Sequence, residues 1–330
     1  MAKSVLVAGG AGYIGSHVCK ELLAAGYRPV VIDNLSTGYR DFVRFGPLVE
    51  ACVSDSVAVR QAVENYAIEA VIDLASSIEV AESVANPLKY YHNNFAKKIA
   101  FLQVLRECGV RAFVLSSTAA VYGEPIEVPI RETHPLQPKN PYGWSKLAFE
   151  QLLQDFHRAG GPAWMALRYF NAAGASQDGD IGEAHEPESH LIPRACLAAL
   201  GQLPALDIFG NDYPTPDGTA IRDYIHVLDL ASAHILAIEA LLGGSAPAAY
   251  NLGNGVGTSI GEVLACFERL GLKVPHKFSA RRPGDPSRLV ADSASAVQNL
   301  KWKPRYAAID SIVGSAYQWH KSRVLSANAS

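Results

Sequence analysis

The chain has 330 residues, 49% hydrophobic and 18% charged, enough apolar material for one large or two coupled cores. A net charge of -3 gives no footing for nucleic acid or an anionic membrane, and the five cysteines (Cys19, Cys52, Cys108, Cys196, Cys266), odd in number and without CxxC spacing, read as reduced core residues. No apolar run reaches ~18 residues and no signal-peptide pattern precedes the first apolar stretch, so a cytoplasmic protein is expected.

Val5-Leu6-Val7-Ala8 reads as a buried parallel strand. Gly9-Gly10-Ala11-Gly12-Tyr13-Ile14-Gly15 follows, and then a helical pattern through Val18, Leu22 and Leu23. Gly9, Gly12 and Gly15 give G-x-x-G-x-x-G, a relative of the dinucleotide fingerprint, in which glycines admit a tight turn and a pyrophosphate at the helix N-terminus. The next strand, Pro29 to Ile32, ends at Asp33, close to the ~20-residue spacing of a carboxylate that binds the adenosine ribose hydroxyls. A carboxylate there repels a 2′-phosphate, which favours NAD over NADP.

Ala70 to Leu74 and Ala112 to Ser116 read as further strands, with a long helix predicted over Pro87–Cys108 between them. Ser116-Ser117-Thr118 then falls at a strand end. Pro141 opens a helix whose apolar face runs through Leu147, Phe149, Leu152 and Leu153, and Trp164 to Tyr169 forms another strand. Strands alternating with helices predict an α/β fold, a doubly wound parallel (Rossmann) sheet over residues 1–170, with ligands beyond the strands' carboxyl ends. Residues 171–330 have shorter, mixed elements and are expected to form a smaller mixed α/β substrate-binding domain, with some chain crossing back. Helices are predicted over Leu191–Leu203, Leu228–Leu242, Ser293–Leu300 and Ile309–His320, an extended segment over Leu206–Phe209, and a capping box at Ser259–Glu262.

Tyr142 and Lys146 are four apart on one helix face, and an ammonium beside a phenol favours the phenolate, lowering its pKa toward that of a usable base. By contrast, His185 and His190 are five apart with Pro187 between them, which is not the four-residue helical spacing of HExxH. No metal site is expected there.

The glycine turn, Ser116-Ser117-Thr118 and Tyr142-x-x-x-Lys146 together resemble the extended short-chain dehydrogenase/reductase family. Within it, several segments look like the UDP-glucose (UDP-galactose) 4-epimerases: Tyr90-Tyr91-His92-Asn93-Asn94, Ala120-Val121-Tyr122-Gly123, Arg168-Tyr169-Phe170-Asn171, Arg222-Asp223-Tyr224 and Arg281-Arg282-Pro283-Gly284-Asp285. The resemblance runs nearly end to end. It implies bound NAD, a UDP-sugar substrate, a homodimer built through Pro87–Cys108 and Tyr142–Ala159, and Tyr142, Lys146 and Thr118 as catalytic residues. It also implies that Gly9, Gly12, Tyr13, Ile14, Gly15, Asp33, Asn34, Asp55, Leu74, Asn94, Lys146 and Tyr169 hold NAD. Asn171, His190, Leu191, Phe209, Arg222, Arg282, Asp285 and Leu289 would hold the UDP-sugar with Thr118 and Tyr142.

Asp73 stands where many family members have histidine, Ile78 where many have lysine, and Leu289 beside the sugar where the family has tyrosine or a small residue. The related 4,6-dehydratases carry Asp-Glu after the hydroxyl residue, whereas Ala119 and Ala120 follow Thr118 here. The remaining alternatives are a 4-epimerase for UDP-pentoses or UDP-glucuronate, and a non-catalytic NAD-sensing regulator.

Overall fold

In the computed structural model, which describes residues 2–282 and 284–329, the first half of the chain alternates strand and helix as the sequence predicts. It runs β1 (Ser4–Ala8), α1 (Tyr13–Ala24), β2 (Arg28–Asp33), β3 (Leu48–Glu50), α2 (Ser56–Tyr66), β4 (Ile68–Asp73), α3 (Val80–Ala85), α4 (Pro87–Tyr91), α5 (Lys97–Glu107), β5 (Ala112–Thr118), α6 (Pro141–Arg158) and β6 (Ala163–Tyr169). The second half continues with β7 (Asn171–Ala173), α7 (Leu191–Ala199), β8 (Leu206–Phe209), β9 (Ile221–Arg222), β10 (Tyr224–His226), α8 (Val227–Leu242) and β11 (Ala248–Leu252). It ends with β12 (Thr258–Ser259), α9 (Ile260–Arg269), β13 (His276–Ser279), β14 (Arg288–Leu289), α10 (Ala294–Leu300) and α11 (Ile309–Ala329).

Seven strands form one parallel sheet in the order β11-β6-β5-β4-β1-β2-β3. The order reverses between β1 and β4, which opens a crevice at their carboxyl ends. All five residues of β1 are buried, because helices cover both faces. Val5 and Val7 point into a core with Val18 and Leu22 of α1 and Leu230 and Ile238 of α8. Leu6 and Ala8 point the other way, toward Val59 of α2, Leu105 of α5 and Phe149 of α6. A third core, with Cys196, Ile208, Phe267 and Ile312 at its centre, holds the later elements together.

Two details differ from the sequence reading. The predicted helix Pro87–Cys108 is α4 and α5 joined by a wider π-type turn over His92–Ala96, and the separate α3 precedes it. The side chain of Asn94, within that turn, bonds outward to Ser77 and Ser145, which a regular helix would present differently. The C-terminal helix also runs on past His320 to Ala329. The capping box forms as predicted, with Ser259 Oγ accepting from Glu262 N at 3.0 Å and Glu262 Oε2 from Ser259 N at 2.7 Å. All five cysteines are free thiols. Among the described residues no helix is long and apolar enough to cross a membrane.

Candidate active site

Because the sheet is parallel, β1, β2, β4, β5 and β6 all end on one side, and the residues singled out in sequence collect there. The turn after β1 needs its glycines. Gly9 has φ +79°, and a Cβ on it would lie 2.8 Å from Ala75 N; a Cβ on Gly15 would lie 2.2 Å from Gly9 O. Gly12 is the N-cap of α1, with no side-chain cap and no acid in the first turn. The first-turn N–H groups, those of Tyr13 and Ile14 among them, are left for an anion. Asp33 clasps this loop: its Oδ2 accepts from Ala11 N at 3.0 Å and its Oδ1 from Leu35 N at 2.8 Å. Burial holds that carboxyl above its ordinary range against the pull of the two hydrogen bonds. An uncapped helix start, a glycine cradle and a partly buried carboxylate fit a dinucleotide.

The other residues expected at NAD are less uniform. Asn34 is exposed beside Asp33, and Leu74 is pinned by its N–H to Ala8 O at 2.8 Å. Asp55 is exposed and caps α2, accepting from Val57 N and Ala58 N through Oδ1. Asn94 is fully buried, and its amide donates to Ser77 O and Ser145 Oγ at 3.0 and 3.1 Å, so it braces the loop after β4 against α6. Tyr169, at the end of β6, is hydrogen-bonded to Ser116.

Helix α6 starts as its sequence dictates. Pro141 occupies the first turn and Asn140 Oδ1 accepts from Gly143 N at 2.9 Å. Tyr142 thus faces the crevice edge-on to Tyr90, ring centroids 6.4 Å apart, and Lys146 follows one turn later. Lys146 is buried, and its ammonium donates to Ser76 Oγ at 2.7 Å and Ser116 O at 2.8 Å. It stands 6.0 Å from the Tyr142 ring centroid.

This corrects one expectation. The Tyr142 phenol is raised, not lowered: burial pushes it up, a hydrogen bond with Thr118 opposes that, and the Glu79 charge adds to the rise. Lys146 is itself pushed down to about 7 by burial and by the neighbouring Lys98, with Asp73 and Glu150 pulling the other way.

Lys98 was not anticipated. It lies on α5 with its side chain wholly buried, 2.6 Å from Asp73, which is equally buried. It also donates to Ser76 Oγ at 3.1 Å, so one serine hydroxyl bridges the ammonium groups of Lys98 and Lys146. The signal available was Asp73 itself: an acid closing an apolar strand needs a partner. A second buried network was equally unread. Glu150 accepts from Ser117 and Arg168, Arg168 donates to Tyr122 Oη at 3.0 Å, and Tyr122 donates to Asn251 Oδ1 at 2.7 Å. It ties α6, β5, β6 and β11 together behind the crevice.

The residues expected at the substrate come from the second half. Asn171 opens β7, its N–H bonded to Asp223 O at 3.0 Å. Arg222 closes β9 and pairs with Asp285 at 2.5 Å while donating to Pro286 O at 3.0 Å. The Arg282 guanidinium lies 4.0 Å from the ring centroid of Phe209. Leu289 is paired with Arg222 across β14 and β9 and packs against the cluster of Val121, Tyr122 and Ile130. Pro283 lies outside the described residues. His190 and Leu191 open α7.

His190 is not isolated. Glu183, His185, Glu188 and His190 bring four ligand-capable atoms within 4.8 Å of one another. Residues 182–190 are not helical, as the absence of HExxH spacing implies, and it is the loop that folds the two histidines together.

The model of the "NAD dependent epimerase/dehydratase family" matches residues 5–253. A curated "UDP-glucose 4-epimerase" from Rhizobium leguminosarum bv. trifolii is 47% identical over 319 residues, covering 96% of this chain and 97% of its own. The structure of UDP-glucose 4-epimerase from Brucella ovis in complex with NAD superposes with TM-score 0.94 at 48% identity, covering 96% and 98% of the two chains. That of the Bifidobacterium longum UDP-glucose 4-epimerase with NAD+ and UDP superposes with TM-score 0.92 at 36% identity, covering 98% and 99%.

Proposed function

The chain belongs to the NAD dependent epimerase/dehydratase family, and from that premise we propose that Tyr142, Lys146 and Thr118 are the catalytic residues of its reaction. It carries out NAD-dependent 4-epimerisation of a UDP-hexose, interconverting UDP-glucose and UDP-galactose. The observation that carries this reading is likeness along almost the whole chain, second half included, to enzymes of that activity.

The glycine turn with Tyr13 and Ile14, and Asp33, Asn34, Leu74, Tyr169 and Lys146, would hold NAD. When bound, NAD supplies a hydride acceptor that returns the hydride within the same turnover, and in its oxidised form a positively charged ring. The Tyr142 oxygen takes the proton of the sugar C4 hydroxyl as that carbon becomes a ketone, then returns it to the same oxygen after the sugar has turned over. Thr118 holds that oxygen by a hydrogen bond, and Lys146 holds the strand end through Ser116. Asn171, His190, Leu191, Arg222, Arg282 and Asp285 bind the uridine diphosphate, for which the forked donors of arginine are suited. Phe209 supplies an apolar face and Leu289 borders the sugar. Asp55 and Asn94 act mainly by shaping the NAD side of the crevice. Residues 1–170 serve as the NAD unit and 171–330 as the UDP-sugar unit, in a cytoplasmic enzyme.

A panel of UDP-sugars incubated with the enzyme without added NADH, with products separated chromatographically, tests the reading. UDP-glucose and UDP-galactose are expected to interconvert; turnover of pentose or uronate sugars alone would overturn it.

A homodimer through α4, α5 and α6 is part of the same proposal. Leu88 is 78% exposed, and Ile99 and Trp144 are 50% and 46% exposed on those helices, an apolar surface of the kind that a second copy covers. Sedimentation should give twice the single-chain mass, and Leu88→Asp should give the single-chain mass. A wild-type monomer at micromolar concentration refutes the interface.

A further inference from the structure

Between β7 and α7 the chain folds Glu183, His185, Glu188 and His190 around one point. His190 Nδ1 stands 2.7 Å from Glu183 Oε1 and 3.6 Å from Glu188 Oε1, and His185 Nδ1 stands 3.3 Å from Glu183 Oε1 and 3.7 Å from Glu188 Oε2. Four ligands at ~2.0–2.1 Å around a tetrahedral zinc ion are about 3.3 Å from one another; both histidines lie near that distance from Glu183 Oε1, and one atom from each of the four residues falls within a 4.8 Å set. The two glutamate side chains are only 4% and 8% exposed. His185 Nδ1, His190 Nδ1 and Glu188 Oε2 are buried yet lack a hydrogen-bond partner. His190 Nδ1 and Glu183 Oε1 are close without hydrogen-bond alignment. Among the described residues, the ion-pair partners of Glu183 and Glu188 are these two histidines, with no lysine or arginine.

The surroundings hold the four in position. Glu188 Oε1 accepts from the N–H groups of Ser189 and His190, both at 2.9 Å, and Trp319 Nε1 donates to Glu183 O at 2.9 Å. The His185 ring lies 5.3 Å from that of His190 and 6.5 Å, edge to face, from that of Tyr13 in the glycine turn. Ligands fixed by a second layer of bonds are characteristic of metal centres.

We propose that Glu183, His185, Glu188 and His190 bind one divalent transition-metal ion of the zinc class and so fasten the β7–α7 crossing beside the glycine turn. Two imidazole nitrogens with two carboxylate oxygens suit a borderline cation, whereas magnesium and calcium prefer oxygen alone. The charge balances: one divalent ion replaces the two protons that would otherwise sit on the histidines, and the two carboxylates neutralise either. Of the four, His190 is also assigned to the uridine diphosphate side of the crevice, but zinc retention is read without sugar turnover, and both substitutions of the test fall on residues outside the catalytic and UDP-sugar sets.

The full chain, stripped with a chelator and dialysed against zinc chloride, should retain one zinc per chain by elemental mass spectrometry. Cobalt(II) in its place should give the intense visible absorption of a four-coordinate ion. Glu188→Gln and His185→Gln are each expected to weaken zinc binding ten- to hundred-fold in a calorimetric titration. Two results overturn the site: a wild-type chain that retains no zinc and gives no cobalt spectrum, or zinc binding that both substitutions leave unchanged. Either would make the cluster two histidinium–carboxylate pairs.

Discussion

Tyr142→Phe is expected to lower kcat about 10²–10⁴-fold, the range contributed by a positioned acid or base, while UDP binding stays within a factor of two or so. The substitution removes one oxygen and leaves the ring against Tyr90 and the cap of α6 intact, so the loss would reflect proton transfer rather than folding. Burial holds the phenol above its ordinary value, with Thr118 the local group that opposes it. The phenolate is therefore a minor species near neutrality until positive charge is brought beside it, and activity should rise with pH as the phenolate fraction grows. Steady-state rates for UDP-galactose and a calorimetric titration with UDP check both halves. Turnover within threefold of wild type would remove Tyr142 as the base.

Lys98→Met is expected to cost about 3–5 kcal/mol of stability, measured by urea unfolding, because it leaves the Asp73 carboxylate buried without its partner. The double variant Asp73→Leu/Lys98→Met should recover most of the loss, since two apolar side chains remove both desolvated charges. Lys98 also lies 5.3 Å from the Phe149 ring centroid, so methionine keeps much of the packing against α6. There is a second consequence for the crevice. The Lys98 charge helps to hold Lys146 down at about 7, and its removal should shift Lys146 upward toward an ordinary lysine. A single variant within 1 kcal/mol of wild type would show that Asp73 finds another partner.

The parts legible in sequence were those governed by local pattern. β1 and β5 are apolar runs because helices cover both faces, and Gly9, Gly12 and Gly15 stand at a spacing that marks the turn by itself. Tyr142 and Lys146 were legible because helix geometry fixes their spacing. What stayed hidden depends on side chains that meet across the fold. Lys98 reads as one more solvated lysine on a helix; only the sheet order brings Asp73 beneath it. Glu150 reads as a surface acid on α6 until Arg168 arrives from β6. The direction of the Tyr142 shift was hidden because spacing says which residues are neighbours, not how deeply the phenol is buried. The Glu183–His190 cluster escaped because a template built on helical spacing was applied to a loop.

The β11 strand pairs with β6 at the edge of the first sheet after the chain has already built part of the second unit. The two lobes are thus sewn together rather than joined end to end. Exchanging the later elements for others would require cuts on both sides of α8 and β11 as well as after β6, and a chain stopped after β6 would present that strand as a raw edge. Change in such a chain is thereby channelled into single side chains and loops, and away from recombination of whole lobes.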